Sequence, residues 1–156
     1  MSELIAEFTS AQKQVDAGFS ARAYSPCELR EAIASLVAAD DVLLADALGA
    51  VALSAYPDSE DVLAICSLLA QMRQDWDESN RLLGHMISLN GMSATPAAWQ
   101  HWIRSLVCAQ DFENAERALL LGMAEHPGDV TLEREAEQFQ AVIDKLVDAS
   151  LAPIKN

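Results

Sequence analysis

The chain has 156 residues, with 24 acidic against 10 basic side chains, a formal net charge of −14 and 51% apolar residues. That length and apolar content suffice for a core without a disulfide or metal staple, and they exclude a disordered polyanion. The charge argues against nucleic acid or an anionic membrane as partner, because a phosphate surface would be repelled; plain solubility, or a basic or amphipathic partner, accounts for it.

Residues 2–18 read as an amphipathic helix. Ser2 is placed to cap it, Glu3 stands in its first turn, Leu4, Ile5, Phe8, Ala11 and Val15 recur at helical spacing, and Gly18 is placed to end it. So short a helix must dock, either on its own chain or on another copy. Residues 19–25 read as a linker. Pro26 then opens a helix at its first turn, with Ser25 and Glu28 as the two halves of a capping box. Its apolar stripe is Leu29, Ile33, Leu36 and Val37, and Ala39-Asp40-Asp41 makes the turn into a second helix, from 42 to about 55. Pro57 stops that helix by forcing Tyr56 out of the helical region.

The hairpin then recurs. Ser59 or Glu60 starts a helix carrying Leu63, Cys66, Leu69 and Ala70, residues 73–75 turn the chain, and a helix from Trp76 to Leu89 ends on Asn90-Gly91. Thr95-Pro96 caps the next helix, to 109, and Phe112 to Glu125 returns, stopped by His126-Pro127-Gly128. A last helix, from Asp129 to about Val147, is expected to bury Leu132, Ala136, Phe139, Ile143 and Leu146, and to turn Glu133, Glu135 and Glu137 outward as a polar-faced cap. Residues 150–156 are expected to fray.

Two stretches say nearly the same thing. Gln74-Asp75-Trp76 and Gln110-Asp111-Phe112 each lead to acidic or amide residues, a small residue (Ser79, Ala115) and an apolar run, and Trp76 and Phe112 stand 36 residues apart. Pro26 and Pro57 are 31 residues apart, as are Pro96 and Pro127. A recurrence of this length marks stacked helical hairpins. Cys27, Cys66 and Cys108 are an odd number at long spacing, without a CxxC, and are expected to act as small hydrophobes in apolar helical stretches. The start has neither a basic nor an apolar signal region, and no apolar run is long enough to span a bilayer, so a soluble cytoplasmic protein is expected.

The three units, 26–59, 60–93 and 96–129, resemble tetratricopeptide repeats. The first bulky column of that family is filled by Leu29, Leu63 and Trp99, and the next by Ala32, Cys66 and Trp102. The turn aromatic is matched by Trp76 and Phe112, with Val42 in its place in the first unit; the small residue early in the second helix by Ala45, Ser79 and Ala115; the late small residue by Ala52 and Gly122; and the closing proline by Pro57 and Pro127. Ile33 and Ile103 depart from a usually small column that Ser67 keeps, and the middle unit has Met86 and Gly91 where the late small residue and the proline would stand. The resemblance implies an all-α, right-handed α-solenoid of about three hairpins over 26–129, preceded by an N-terminal helix and linker (1–25) and followed by a capping helix and tail (130–156). It also implies a concave groove lined by first helices, presenting Arg30, Ala34 and Val37, then Ala64, Leu68 and Gln71, then Gln100, Arg104 and Val107. With Arg30 and Arg104 as its cations, that groove lacks the basic clamp with which some relatives hold a C-terminal carboxylate, and suits an extended or helical apolar segment.

No motif for catalysis, metal or cofactor appears: His85, His101 and His126 are scattered, and HExxH, GxSxG, P-loop and GxGxxG patterns are missing. Carboxylate pairs such as Asp75 with Asp77 sit at helix starts, where the helix dipole favours them. Trp76, Trp99 and Trp102 read as packing residues before an aromatic cage. The expectation is a non-enzymatic adaptor or chaperone holding a protein or peptide segment, in its most concrete version a bacterial secretion-system chaperone. The alternatives are a homo-oligomeric scaffold dimerising through Leu4, Ile5, Phe8 and Val15, and a small enzyme with an unrecognised site, which an activity lost on changing His101 or Arg104 would reveal.

Overall fold

The computed structural model describes residues 3–13 and 19–151. Their helices are α1 (Glu3–Lys13), α2 (Pro26–Ala38), α3 (Val42–Ala55), α4 (Glu60–Met72), α5 (Trp76–Asn90), α6 (Pro96–Cys108), α7 (Phe112–Glu125) and α8 (Val130–Leu151), with 3-10 turns at Ala21–Ala23 and Gly91–Ser93. Among the described residues there is no strand. Two compact units can be distinguished, Met1–Leu89 and Asn90–Asn156. The expected roles of Ser2, Val15 and Gly18 in the first helix fall outside the described residues.

The hairpin turns are built alike three times, for a reason that starts in the sequence. After α2, α4 and α6 the chain passes through Asp40, Gln74 and Gln110 at φ 61°, 60° and 61°. Each is followed by an aspartate whose amide reaches back to a helix carbonyl: Asp41 to Leu36 (2.9 Å), Asp75 to Ala70 (2.9 Å) and Asp111 to Leu106 (3.0 Å). The same aspartates cap the next helix, accepting from the amides of Leu44 (3.3 Å), Glu78 (3.2 Å) and Asn114 (3.3 Å). The repeated Gln-Asp pair is thus a left-handed residue followed by an N-cap. Glutamine pays for the left-handed conformation with its Cβ, whereas aspartate tolerates it better. Gln74→Gly and Gln110→Gly are each expected to raise stability by about 0.5–1 kcal/mol in urea unfolding, with a smaller gain for Asp40→Gly; a loss at both glutamines would contradict this account of the turn.

In the first unit α2 starts on the expected capping box. Ser25 accepts from the Glu28 amide (3.3 Å), and the Glu28 carboxylate accepts from the Ser25 hydroxyl (2.7 Å) and the Ser25 amide (2.8 Å), the two bonds that hold Glu28 below the usual carboxylate range. The helices α2 and α3 pack as a hairpin, and α4 packs on both. Leu29, Ile33, Leu48, Leu63, Leu82 and Leu83 of this unit are fully buried, and Ala45, Ala52 and Ser79 are buried at the small positions that let helices approach closely. The buried hydroxyls of Ser67 and Ser79 are satisfied, by the Ala64 carbonyl (2.7 Å) and the Gln71 amide (3.0 Å).

Residues 19–25, expected as a linker, form a packed strap. Phe19 meets Phe8 edge-on at 4.9 Å and stacks on Tyr24 at 5.9 Å, Ala21 is buried, and the Tyr56 hydroxyl donates to the Tyr24 carbonyl (2.8 Å). The Tyr24 hydroxyl hydrogen-bonds Glu7, and that bond, followed by desolvation and the charges of Glu7, Glu3 and Glu28, pushes the phenol up to about 12. Leu4, Ile5 and Phe8 are buried within the single chain. The aromatics of the strap supply the burial that a polar linker would lack.

In the second unit α6 and α7 pair as a hairpin, and α8 packs on both, as α4 does on α2 and α3. A Cβ on Gly122 would stand 3.1–3.3 Å from Trp99, so the glycine lets α7 lie against the indole. The last helix corrects two expectations. Glu135 is buried rather than outward, and of the expected apolar stripe Leu132 is fully buried, Ala136, Phe139 and Ile143 are half-buried and Leu146 is exposed. The helix also runs on to Leu151, past the expected end near Val147.

Two of the three free cysteines depart from their expected apolar setting. Cys27 and Cys108 are exposed, and Cys66 is buried beside the Gly49 carbonyl (Sγ to O, 3.5 Å), where burial pushes its thiol up to about 11. The turn aromatics Trp76 and Phe112 are half-buried, each at the first residue of its helix.

Candidate partner-binding site

Four of the residues expected to line a groove come together in the first unit. Ala34 and Val37 on α2 and Leu68 and Gln71 on α4 border a depression of about 490 Å³, completed by Ile65, Leu69 and Met72 of α4. The depression is apolar because α4 is apolar on both sides: the run from Val62 to Ala70 is broken only by Ser67, so one set of side chains fills the core and another is left facing out. Leu68 is 43% exposed and Met72 51%. The Gln71 amide donates to Ser79 (3.0 Å), which fixes the one polar side chain of the lining. No residue of α1 contributes to this lining.

Ile65, Leu69 and Met72 were missed by carrying over a repeat register. Their signal was present in the uninterrupted apolar run of α4. Ala64 is half-buried and its carbonyl accepts from Ser67. Arg30 lies one helical turn before Ala34 and is not a free cation: its guanidinium donates to Asp61 (2.5 Å) and stands 3.7 Å from Glu31.

The second unit uses its three expected groove residues differently. Gln100 donates to Glu135 (2.9 Å), and Arg104 donates to both carboxylate oxygens of Glu135 through Nε (3.1 and 2.9 Å), with Nη2 also at 2.9 Å. The Glu135 side chain is 6% exposed and that of Arg104 53%, so a buried carboxylate is held by a half-open guanidinium. Val107 is half-buried on the same helix. Here α8 takes up the polar groups of α6 that were expected to face a ligand.

His85 bonds Asp58 (2.8 Å), and the His126 Nε2 lies 2.7 Å from the Ala94 carbonyl, which makes it a donor. His101 is half-buried; burial first, and Arg104 second, hold its pKa below the ordinary value. The native state therefore binds its proton later than the unfolded chain as pH falls. The stability tied to the neutral ring is intact above the unfolded pKa of about 6.5 and declines as pH drops through it. Melting curves between roughly pH 7.5 and 5.5 should show a smaller acid-dependent loss in His101→Gln than in the parent chain; equal losses would contradict the assignment.

Trp99 and Trp102 pack at 5.8 Å with ring planes tilted by 40°, and Trp99 is 3% exposed, so the pair is not open to a ligand as a cage would be. Among the described residues, no three His, Cys, Asp or Glu side chains are placed to hold a metal ion, and no helix is long and apolar enough to cross a membrane. What the site offers is partly exposed apolar surface around a depression of a size found in binding clefts, about 300–1,000 Å³.

No protein-family model and no curated sequence matches the chain. Solved structures do. The TPR domain of Sgt2 from Aspergillus fumigatus superposes with a TM-score of 0.66 at 15% identity, over 84% of this chain and 87% of that one. MamA (AMB-1) gives 0.64 at 14% identity, over 94% and 82%, and a mutant of MamA gives 0.61 at 14% identity, over 94% and 87%. At such identities the likeness speaks for the fold, and the fold is that of tetratricopeptide-type helical hairpins.

Proposed function

From a fold of the tetratricopeptide type, we propose that the chain is a non-enzymatic cytoplasmic interaction module, an adaptor or chaperone, which holds a segment of a partner protein against α2 and α4. The observation that carries this reading is the depression itself. Leucine and methionine side chains are left half in water beside a packed helix pair, on a surface that α1 does not cover. Size and acidity are what the chain shares with secretion-system chaperones; the chemistry of the depression supports the wider class, and it is the wider class we adopt.

The homodimeric alternative has less behind it. Leu4, Ile5 and Phe8, through which two copies would join, are already buried within one chain. Leu68→Glu tests the proposal, since an exposed position tolerates the charge while an apolar partner does not. We expect unchanged melting and a loss of at least tenfold in affinity, roughly 1.4 kcal/mol or more, for a partner recovered with the parent chain and titrated by calorimetry. An unaltered affinity would move the site elsewhere.

A further inference from the structure

We infer that the segment held between α2 and α4 is cationic, carrying apolar anchors for the depression and lysine or arginine within about a helical turn of them. This rests on the reading of the depression as the binding face and adds the charge of its occupant.

No ionised side chain lines the depression, but carboxylates stand at both of its ends. At the end where α2 and α4 begin, Arg30 is shared between Asp61 (2.5 Å) and Glu31 (3.7 Å), one cation between two anions. At the other end, where α2 and α4 stop, Asp40 stands in the turn three residues after Val37 and Asp75 in the turn three residues after Met72; both aspartates are exposed. Asp75 accepts the Glu78 amide as a cap, which leaves its charge in place. The other arginines of the unit that lie near carboxylates are already used, Arg73 on Asp46 and Arg81 on Glu78. The unit as a whole has 14 acidic and 5 basic side chains. An anionic tail meets repulsion at either end of this groove; a cationic amphipathic segment gains attraction at both, on top of apolar contact.

The test uses the full chain and three labelled amphipathic peptides of about four helical turns. Leucine stands at one face of each, and lysine, glutamine or glutamate fills the rest; binding is read by fluorescence anisotropy at about 0.15 M salt. The lysine peptide is expected to bind roughly tenfold tighter than the glutamine peptide, with the glutamate peptide weakest. Leu68→Gln/Met72→Gln, which leaves every charge in place, should weaken the lysine peptide by roughly tenfold. Asp40→Asn/Asp75→Asn, which keeps a residue suited to the left-handed position and to the cap, should weaken it several-fold and flatten its salt dependence. If the glutamate or glutamine peptide binds as well as the lysine one, and loses affinity on Leu68→Gln/Met72→Gln, the charge inference fails while the depression stands as the site. If the lysine peptide binds equally well to that double variant, the attraction is diffuse, and both the inference and the reading beneath it fail.

Discussion

Trp99→Ala is expected to cost about 3–5 kcal/mol, the largest single loss in the chain. Trp99 is 3% exposed, lies against Gly122 and contacts Trp102 at 5.8 Å, so its removal empties the centre of the α6–α7 hairpin. Gly122 has no side chain with which to fill the gap. Trp99→Phe should cost much less. The indole N–H of Trp99 has no hydrogen-bond acceptor within the structure, so phenylalanine forfeits volume but no hydrogen bond. Trp76→Ala and Phe112→Ala, at half-buried turn positions, should fall well below Trp99→Ala. Urea unfolding of the four variants decides the matter; Trp99→Ala within about 1 kcal/mol of the parent would contradict the packing described.

Arg104→Glu is the second. It would set a carboxylate beside Glu135, which is buried, accepts from Gln100 and depends on Arg104 for its counter-charge. Breaking a wholly buried pair costs about 3–5 kcal/mol; with the guanidinium half in water, we expect roughly 2–3. Glu135→Gln should be milder, since it removes the buried charge along with the need for a partner. Adding Glu135→Arg to Arg104→Glu should recover part of the loss, and a double-mutant cycle by thermal unfolding measures the coupling. If Arg104→Glu melts with the parent, α8 is not held to α6 in this way.

The fold was legible because its punctuation is local. Ser25-Pro26, Thr95-Pro96, Pro57 and Pro127 mark helix ends by their own backbone chemistry, and the Gln-Asp pair encodes a turn wherever it stands. What was not legible depends on partners distant in sequence. Nothing near residues 19–25 says that Phe19 will be clamped between Phe8 and Tyr24. Cys27 and Cys108 sit in apolar helices, but on faces turned to water. Glu135 was a missed hint: three residues after Leu132 and four before Phe139, it stands on the apolar stripe of α8, where a carboxylate needs a cation.

For the site, the repeat register picked out Ala34, Val37, Leu68 and Gln71, which the structure brings together around one depression, and could not anticipate how Arg30 and Arg104 are engaged. Both engage a carboxylate of a neighbouring helix 31 residues further on, Asp61 and Glu135. The cations on which a groove for acidic tails would rely are neutralised inside the fold, and the surface that remains is apolar with acidic ends.

Site-specific photocrosslinking is the most direct measurement of the central claim, that a partner segment lies on α2 and α4. A photoreactive phenylalanine analogue placed at Leu68 or Met72, both partly exposed, should crosslink the purified partner in high yield, while the same group at Leu120 or Leu146, exposed on α7 and α8, should not. Crosslinks from Leu120 or Leu146 with none from Leu68 and Met72 would contradict the account.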